Sequence, residues 1–208
     1  MDARFLTYLA VAAVLIVTPG PDMALVARNA FKGGARAARA TAFGVGTGIL
    51  GWGLCSALGL AALLATSAAL FAGLKLAGAL FLVCLGLRSL WAAARRSEEP
   101  AVPAPARPAP LGARDAYLQG LFGNLLNPKA GVIFVAIVPQ FIEPSDGPLR
   151  IAAMTAAFVI MVTAWLTLYG AVVARAAARF GPRVRRALDG AAGTVMVALG
   201  VRLAVERR

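Results

Sequence analysis

The sequence predicts an all-α integral membrane protein: six transmembrane helices arranged as two inverted three-helix repeats, with the first and fourth helices broken. Three observations carry that prediction. The chain is 60% hydrophobic and only 14% charged, and its mean hydropathy of +0.78 lies well beyond that of a usual soluble domain. Two long apolar segments are each interrupted near the middle by proline, at Thr18-Pro19-Gly20-Pro21-Asp22 and at Leu126-Asn127-Pro128-Lys129. A proline-rich linker divides the chain into near-equal halves.

The first span is expected at about 5–27 and holds the first break. From Thr41 to Leu74 no side chain ionises except Cys55. That run exceeds the roughly 20 residues that cross a bilayer, so it is divided into spans at about 41–64 and 69–91, turning near Ala65-Thr66-Ser67. Gly44, Gly46 and Gly48 make a small-residue stripe suited to close helix packing. Pro100, Pro103, Pro105, Pro108 and Pro110 alternate with other small residues and favour extended chain over helix. The expected division is therefore residues 1–96, a cytoplasmic linker 97–113, and residues 114–208. The second half supplies spans at about 116–139, 150–173 and 188–205, the last being the weakest because Asp189 and Arg202 shorten its apolar centre.

Three spans per half is an odd number, so the second half starts on the opposite side of the membrane, the arithmetic of an inverted repeat. Faint echoes agree: Pro21-Asp22 corresponds to Pro128-Lys129, and Leu85-Gly86-Leu87-Arg88 to Leu199-Gly200-Val201-Arg202.

Fourteen of the 21 Lys and Arg fall in or beside the first, third and fifth loops, among them Arg28, Lys32, Arg36, Arg95, Arg179 and Arg186. The positive-inside rule puts those loops in the cytoplasm and both termini on the periplasmic side of a bacterial inner membrane. The net charge of +12 is spread over alternate loops. It is explained by orientation and anionic lipid rather than by nucleic acid. A homo-oligomer is left open.

The breaks carry the chemistry. Proline lacks an N–H, so Pro19 and Pro21 free the carbonyls of Leu15 and Val17, and Pro128 frees that of Asn124. Freed carbonyls attract cations, and the N–H groups starting each new half-helix attract anions. One pocket can then hold the ammonium and the carboxylate of a zwitterionic amino acid. Lys129 lies about 12 residues from either end of its span, roughly 18 Å along a helix, too deep to reach an interface. Asp22 is its expected partner, either paired with it or facing it across substrate. The candidate substrate or coupling residues are Thr18, Pro19, Gly20, Pro21, Asp22, Asn124, Asn127, Pro128 and Lys129. Histidine is absent, and neither Cys55 nor Cys84 belongs to a C-x-x-C motif. No metal, cofactor or catalytic cluster is expected, and the chain is read as a non-enzyme.

The blocks Thr18-Pro19-Gly20-Pro21-Asp22, Lys75-x-x-Gly78-Ala79, Leu85-Gly86 and Asn127-Pro128-Lys129, in that order, resemble the LysE/RhtB family of bacterial amino-acid exporters. The resemblance covers nearly the whole chain. It implies a six-span inner-membrane exporter of amino acids or close derivatives, driven by the proton gradient. The near-neutral sum of Asp22 and Lys129 favours a neutral substrate of the homoserine/threonine type. The family pattern tolerates Asn where this chain has Asp22. The alternatives are a transporter of another small ion or metabolite and, from another class, an integral membrane enzyme or assembly factor. Transport of labelled amino acids by vesicles separates them.

Overall fold

The computed structural model describes residues 2–57, 67–95, 111–143, 146, 148–179 and 182–205. The far end of the expected second span (58–64) and most of the expected linker (97–110) lie outside these residues. Every regular element among them is helical.

Helix α1, Ala3–Val17, starts at Asp2, whose carboxylate accepts from the Phe5 N–H at 2.8 Å. It stops at Thr18 because Pro19 has no N–H with which to continue. Helix α2, Pro21–Ala57, opens on a proline at its first helical position, where the missing N–H would have no partner in any case. The axes of α1 and α2 differ by 50°.

Helix α2 is two arms joined at Gly34, whose φ of 66° is a conformation that side chains disfavour. The Asn29 side-chain amide donates to Thr41 Oγ1 at 2.9 Å. Twelve residues of straight helix would hold those groups about 18 Å apart, so the chain reverses at the glycine. The basic first loop expected from the sequence is thus a single-residue corner. The first span's helix runs to it, beyond the expected end at residue 27.

Helix α3 is Ala68–Arg95 and α4 is Ala113–Leu125. Helix α5, Pro128–Val132, begins the second part of the expected fourth span. It runs into a π-helical turn, Ile133–Ile137, and a 3₁₀ turn, Val138–Phe141. Pro139 cannot donate to the carbonyl four residues back, and the helix changes pitch there. Helices α6, Pro148–Ala178, and α7, Pro182–Val205, complete the chain.

Two apolar cores position the site. The larger gathers Tyr8, Ile16, Val26, Trp52, Phe134 and Phe158, among others, from α1, α2, the fourth span and α6. The smaller joins Leu25, at the start of α2, to Leu82, Leu85 and Met196 of α3 and α7. Close approaches run along glycines. A Cβ on Gly48 would come within 3 Å of the Asn124 side chain, and one on Gly86 within 2.7 Å of the Gly193 carbonyl. The stripe read from Gly44, Gly46 and Gly48 packs onto Tyr117, Thr163 and Asn124 respectively.

Outer faces stay apolar: Val14, Leu54, Leu80 and Ile160 are each more than 60% exposed, which suits lipid rather than water. Among the described residues, Pro148–Ala178 alone is long and apolar enough to cross a membrane by itself. Ala3–Val17 with Pro21–Ser56 passes as a bent pair.

Candidate functional site

The two proline breaks meet, and each is completed by groups from the other. Helix α1 ends one turn before Asp22, so Leu15 and Thr18 present carbonyls that no helical N–H meets. The Lys129 ammonium donates to both, at 2.9 Å and 2.8 Å. In return, the side-chain amides of Asn124 and Asn127 both donate to Asp22 Oδ2 at 3.1 Å. Asn127 also caps its own half-helix, accepting from the Lys129 N–H at 3.0 Å. Pro128 follows at the first helical position. Gly20 lies beneath Lys129, since a Cβ there would sit 3.5 Å from Nζ, in ordinary contact.

All nine residues predicted for the site lie at these two breaks. Their detailed partners select one expected alternative and depart from one expectation. Asp22 and Lys129 make no direct ion pair within 4 Å among the described residues. They line one cavity, and each is held by polar groups of the opposite break. The freed Asn124 carbonyl takes no cation. It accepts from the Asn127 N–H at 3.0 Å and from the Trp52 indole N–H at 3.2 Å. Two acceptors remain open at the centre: Asp22 Oδ1 and Asn124 Oδ1 are buried and have no hydrogen-bond partner.

The cavity between Asp22 and Lys129 is about 40 Å³ and is walled by Ile16, Met23, Ile49, Phe158, Val162 and Leu166. That is roughly the room of one water molecule. A second, open cleft of about 520 Å³ adjoins it. The two share Leu15, Gly20, Pro21, Asn127, Lys129 and Ile133. The cleft continues between Pro19 and Pro128 on one side and Lys75, Leu199, Arg202 and Leu203 on the other. Its size is that of a small-molecule site, ~300–1,000 Å³.

Sequence reasoning missed one polar cluster. Arg28, read as a loop charge, is 3% exposed. Its guanidinium donates to Ser89 Oγ at 2.7 Å, Asn29 Oδ1 at 3.1 Å and Gln119 Oε1 at 3.0 Å. Together with the Asn29–Thr41 bond, this ties both arms of α2 to α3 and α4. The available signal was the pair of amides, Asn29 and Gln119, beside otherwise apolar runs, since buried amides demand partners.

At the opposite end, Arg150 clamps Asp2 through both carboxylate oxygens, and Arg4 bridges to Glu143 at 2.7 Å and Asp146 at 3.4 Å. The Arg150 hydrogen bonds, aided by the Phe5 N–H, hold the Asp2 carboxyl well below the usual carboxylate range.

Apolar helices with exposed leucine and valine faces, folded round two mutually completed breaks beside a deep cleft, make a membrane transport fold. The chain belongs to the LysE type translocator family, whose profile matches residues 13–207. It is 29% identical over 205 residues to the threonine efflux protein of Escherichia coli (strain K12), covering 98% of each chain. It is 30% identical over 204 residues to the homoserine/homoserine lactone efflux protein of Salmonella typhi, covering 96% of this chain and 95% of that protein. It is also 34% identical over 141 residues to the uncharacterized membrane protein YrhP of Bacillus subtilis, covering 66% and 67%. No solved structure matches the chain.

Proposed function

We propose that this protein exports a small neutral amino acid or close derivative, of the homoserine/threonine type, across the bacterial inner membrane by antiport with protons. The reading is carried by the mutual completion of the two breaks around Asp22 and Lys129. The full-length similarity to efflux proteins for threonine and for homoserine and its lactone supports the substrate class.

The chemistry follows from one atom. Asp22 Oδ2 is fixed by two amides, which leaves Oδ1 to accept from a cation entering the cavity. A substrate ammonium and a proton compete for it. A carrier that must hold one or the other couples their opposite movement, and intramembrane carboxylates commonly serve such relays. Lys129 neutralises the carbonyls of the first break and keeps the local charge near zero, which suits a zwitterion.

Six spans in two inverted repeats, with both termini periplasmic, complete the proposal. The matched breaks and the antiparallel glycine seam between α3 and α7 support it.

Proteoliposomes loaded with labelled threonine or homoserine test the function. Export should follow an imposed pH gradient, and Asp22→Asn should abolish that dependence. Gradient dependence that survives Asp22→Asn removes Asp22 from the coupling path, and vesicles that move neither compound overturn the exporter reading. Labelling of a thiol at Ser97→Cys from outside intact cells would refute the orientation.

A further inference from the structure

We propose that Lys75 and Arg202 form a carboxylate-binding subsite in the open cleft, which receives the carboxylate of the transported amino acid. The inference rests on the exporter reading and adds a second recognition point to it.

The cavity at Asp22 is about 40 Å³ and the adjoining cleft about 520 Å³, so the cleft offers the greater room for an amino acid. Among the described residues, the ionisable ones lining the cleft are Lys75, Lys129 and Arg202, all of them cations. A cleft of one sign with apolar walls focuses its field on an entering anion. Lys129 is turned to the carbonyls of the first break, and Lys75 and Arg202 stand on the far wall.

Helix register brings those two to one level. Built Cβ atoms on Gly86 and Gly200 would meet the carbonyls of Gly193 and Ala79 at 2.7 Å and 2.8 Å. This antiparallel register sets Arg202 opposite residue 77, two residues from Lys75, or about 3 Å along the axis. The same wall is pressed against the second break: a Cβ on Gly78, one turn from Lys75, would overlap the Leu126 carbonyl. The Lys75-x-x-Gly78-Ala79 block thus gains a physical reading. Gly78 and Ala79 let α3 close on the break and on α7, and Lys75 is carried to the cleft.

Arg202 stands near the end of α7, where an arginine can simply reach toward an interface. It nevertheless shares the cleft wall with Leu199 and Leu203, and it makes no ion pair among the described residues. Its planar fork fits a carboxylate through two parallel hydrogen bonds.

The test uses the full chain with Cys55→Ala and Cys84→Ala, and with Val132→Cys as a thiol reporter on the cleft wall. An anionic methanethiosulfonate should label the reporter faster than a cationic one. Lys75→Gln with Arg202→Gln should lower that rate ratio about tenfold. L-Threonine and acetate should slow labelling while threonine methyl ester does not. Arg202→Gln should abolish this protection, and Arg202→Lys should keep part of it. Thermal unfolding of the purified variants establishes that each is folded. Should Arg202→Gln fail to fold, Lys75→Gln decides by the same readouts. An unchanged rate ratio and unchanged protection in the folded variant overturn the subsite. Acetate protection judges the subsite even where wild-type vesicles move no amino acid, an outcome that would sink the exporter reading alone.

Discussion

The two proline breaks are completed in opposite ways. The first leaves backbone acceptors open, the carbonyls of Leu15 and Thr18, and a cation from the second fills them. The second closes its own backbone, through the Asn127 side chain on the Lys129 N–H and the Asn127 N–H on the Asn124 carbonyl, and its spare amide donors reach back to Asp22. The first break is thus an acceptor site and the second a donor site. Opposite charges at the two breaks need not pair. Each is held by polar groups of the other break, and both line one small cavity. The surroundings differ as well. The first break leads into one long helix, and the second into a five-residue helix followed by π and 3₁₀ turns. The stretch after the second break is therefore the more weakly hydrogen-bonded of the two.

Removing the crossing cation should have the largest effect. Lys129→Met leaves two carbonyls unmet within the membrane and Asp22 without a nearby positive charge. Export should fall on the order of 100-fold or more, with lower yield of folded protein, since uncompensated polar groups there cost several kcal/mol in all. Transport per folded molecule, normalised by size-exclusion recovery, measures it.

Next comes the amide that serves both breaks. Asn127→Ala loses a cap and a donor to Asp22, for about 1–2 kcal/mol of stability, whereas Asn124→Ala loses only the donor. Thermal unfolding should rank them in that order, and the reverse order would contradict the cap.

A double-mutant cycle sharpens the comparison. Asp22→Asn should couple more strongly to Asn127→Ala than to Lys129→Met, because the first pair shares a hydrogen bond and the second only a field across the cavity. Stronger coupling to Lys129 would mean that a direct pair forms in the working protein. Weaker still, Trp52→Phe should cost about 1 kcal/mol by withdrawing one donor from the Asn124 carbonyl.

The smallest effect lies outside the breaks, where Asp2 and Arg150 tie α1 to α6. The Asp2 carboxyl is depressed in the folded protein, so its contribution is present above the ordinary carboxylate range, about pH 4, and is lost as the pH falls below it. Asp2→Asn should flatten that part of the stability–pH curve and leave export at neutral pH nearly unchanged.

The sequence by itself determined the breaks, because what proline and glycine do to a helix is local chemistry. Pro19, Pro21 and Pro128 stop hydrogen bonds wherever they stand, and the long apolar runs around them call for helices. That the nine candidate residues lie at those breaks was legible because they flank the prolines in the sequence. The glycine stripe was also legible, since a missing side chain is visible in one dimension.

What tertiary structure decided was the choice of partner. Lys129 could have met a carboxylate or carbonyls, and the crossing of α1 over the second break gave it carbonyls. Arg28 looked like one more loop charge until the corner at Gly34 folded its arm of α2 against Ser89 and Gln119. Lys75 and Arg202 are 127 positions apart, and only the register of α3 on α7 puts them on one wall. Hydrogen bonds and ion pairs form over about 3 Å between groups that may be far apart in sequence. No local pattern encodes those meetings, because they depend on how the helices pack.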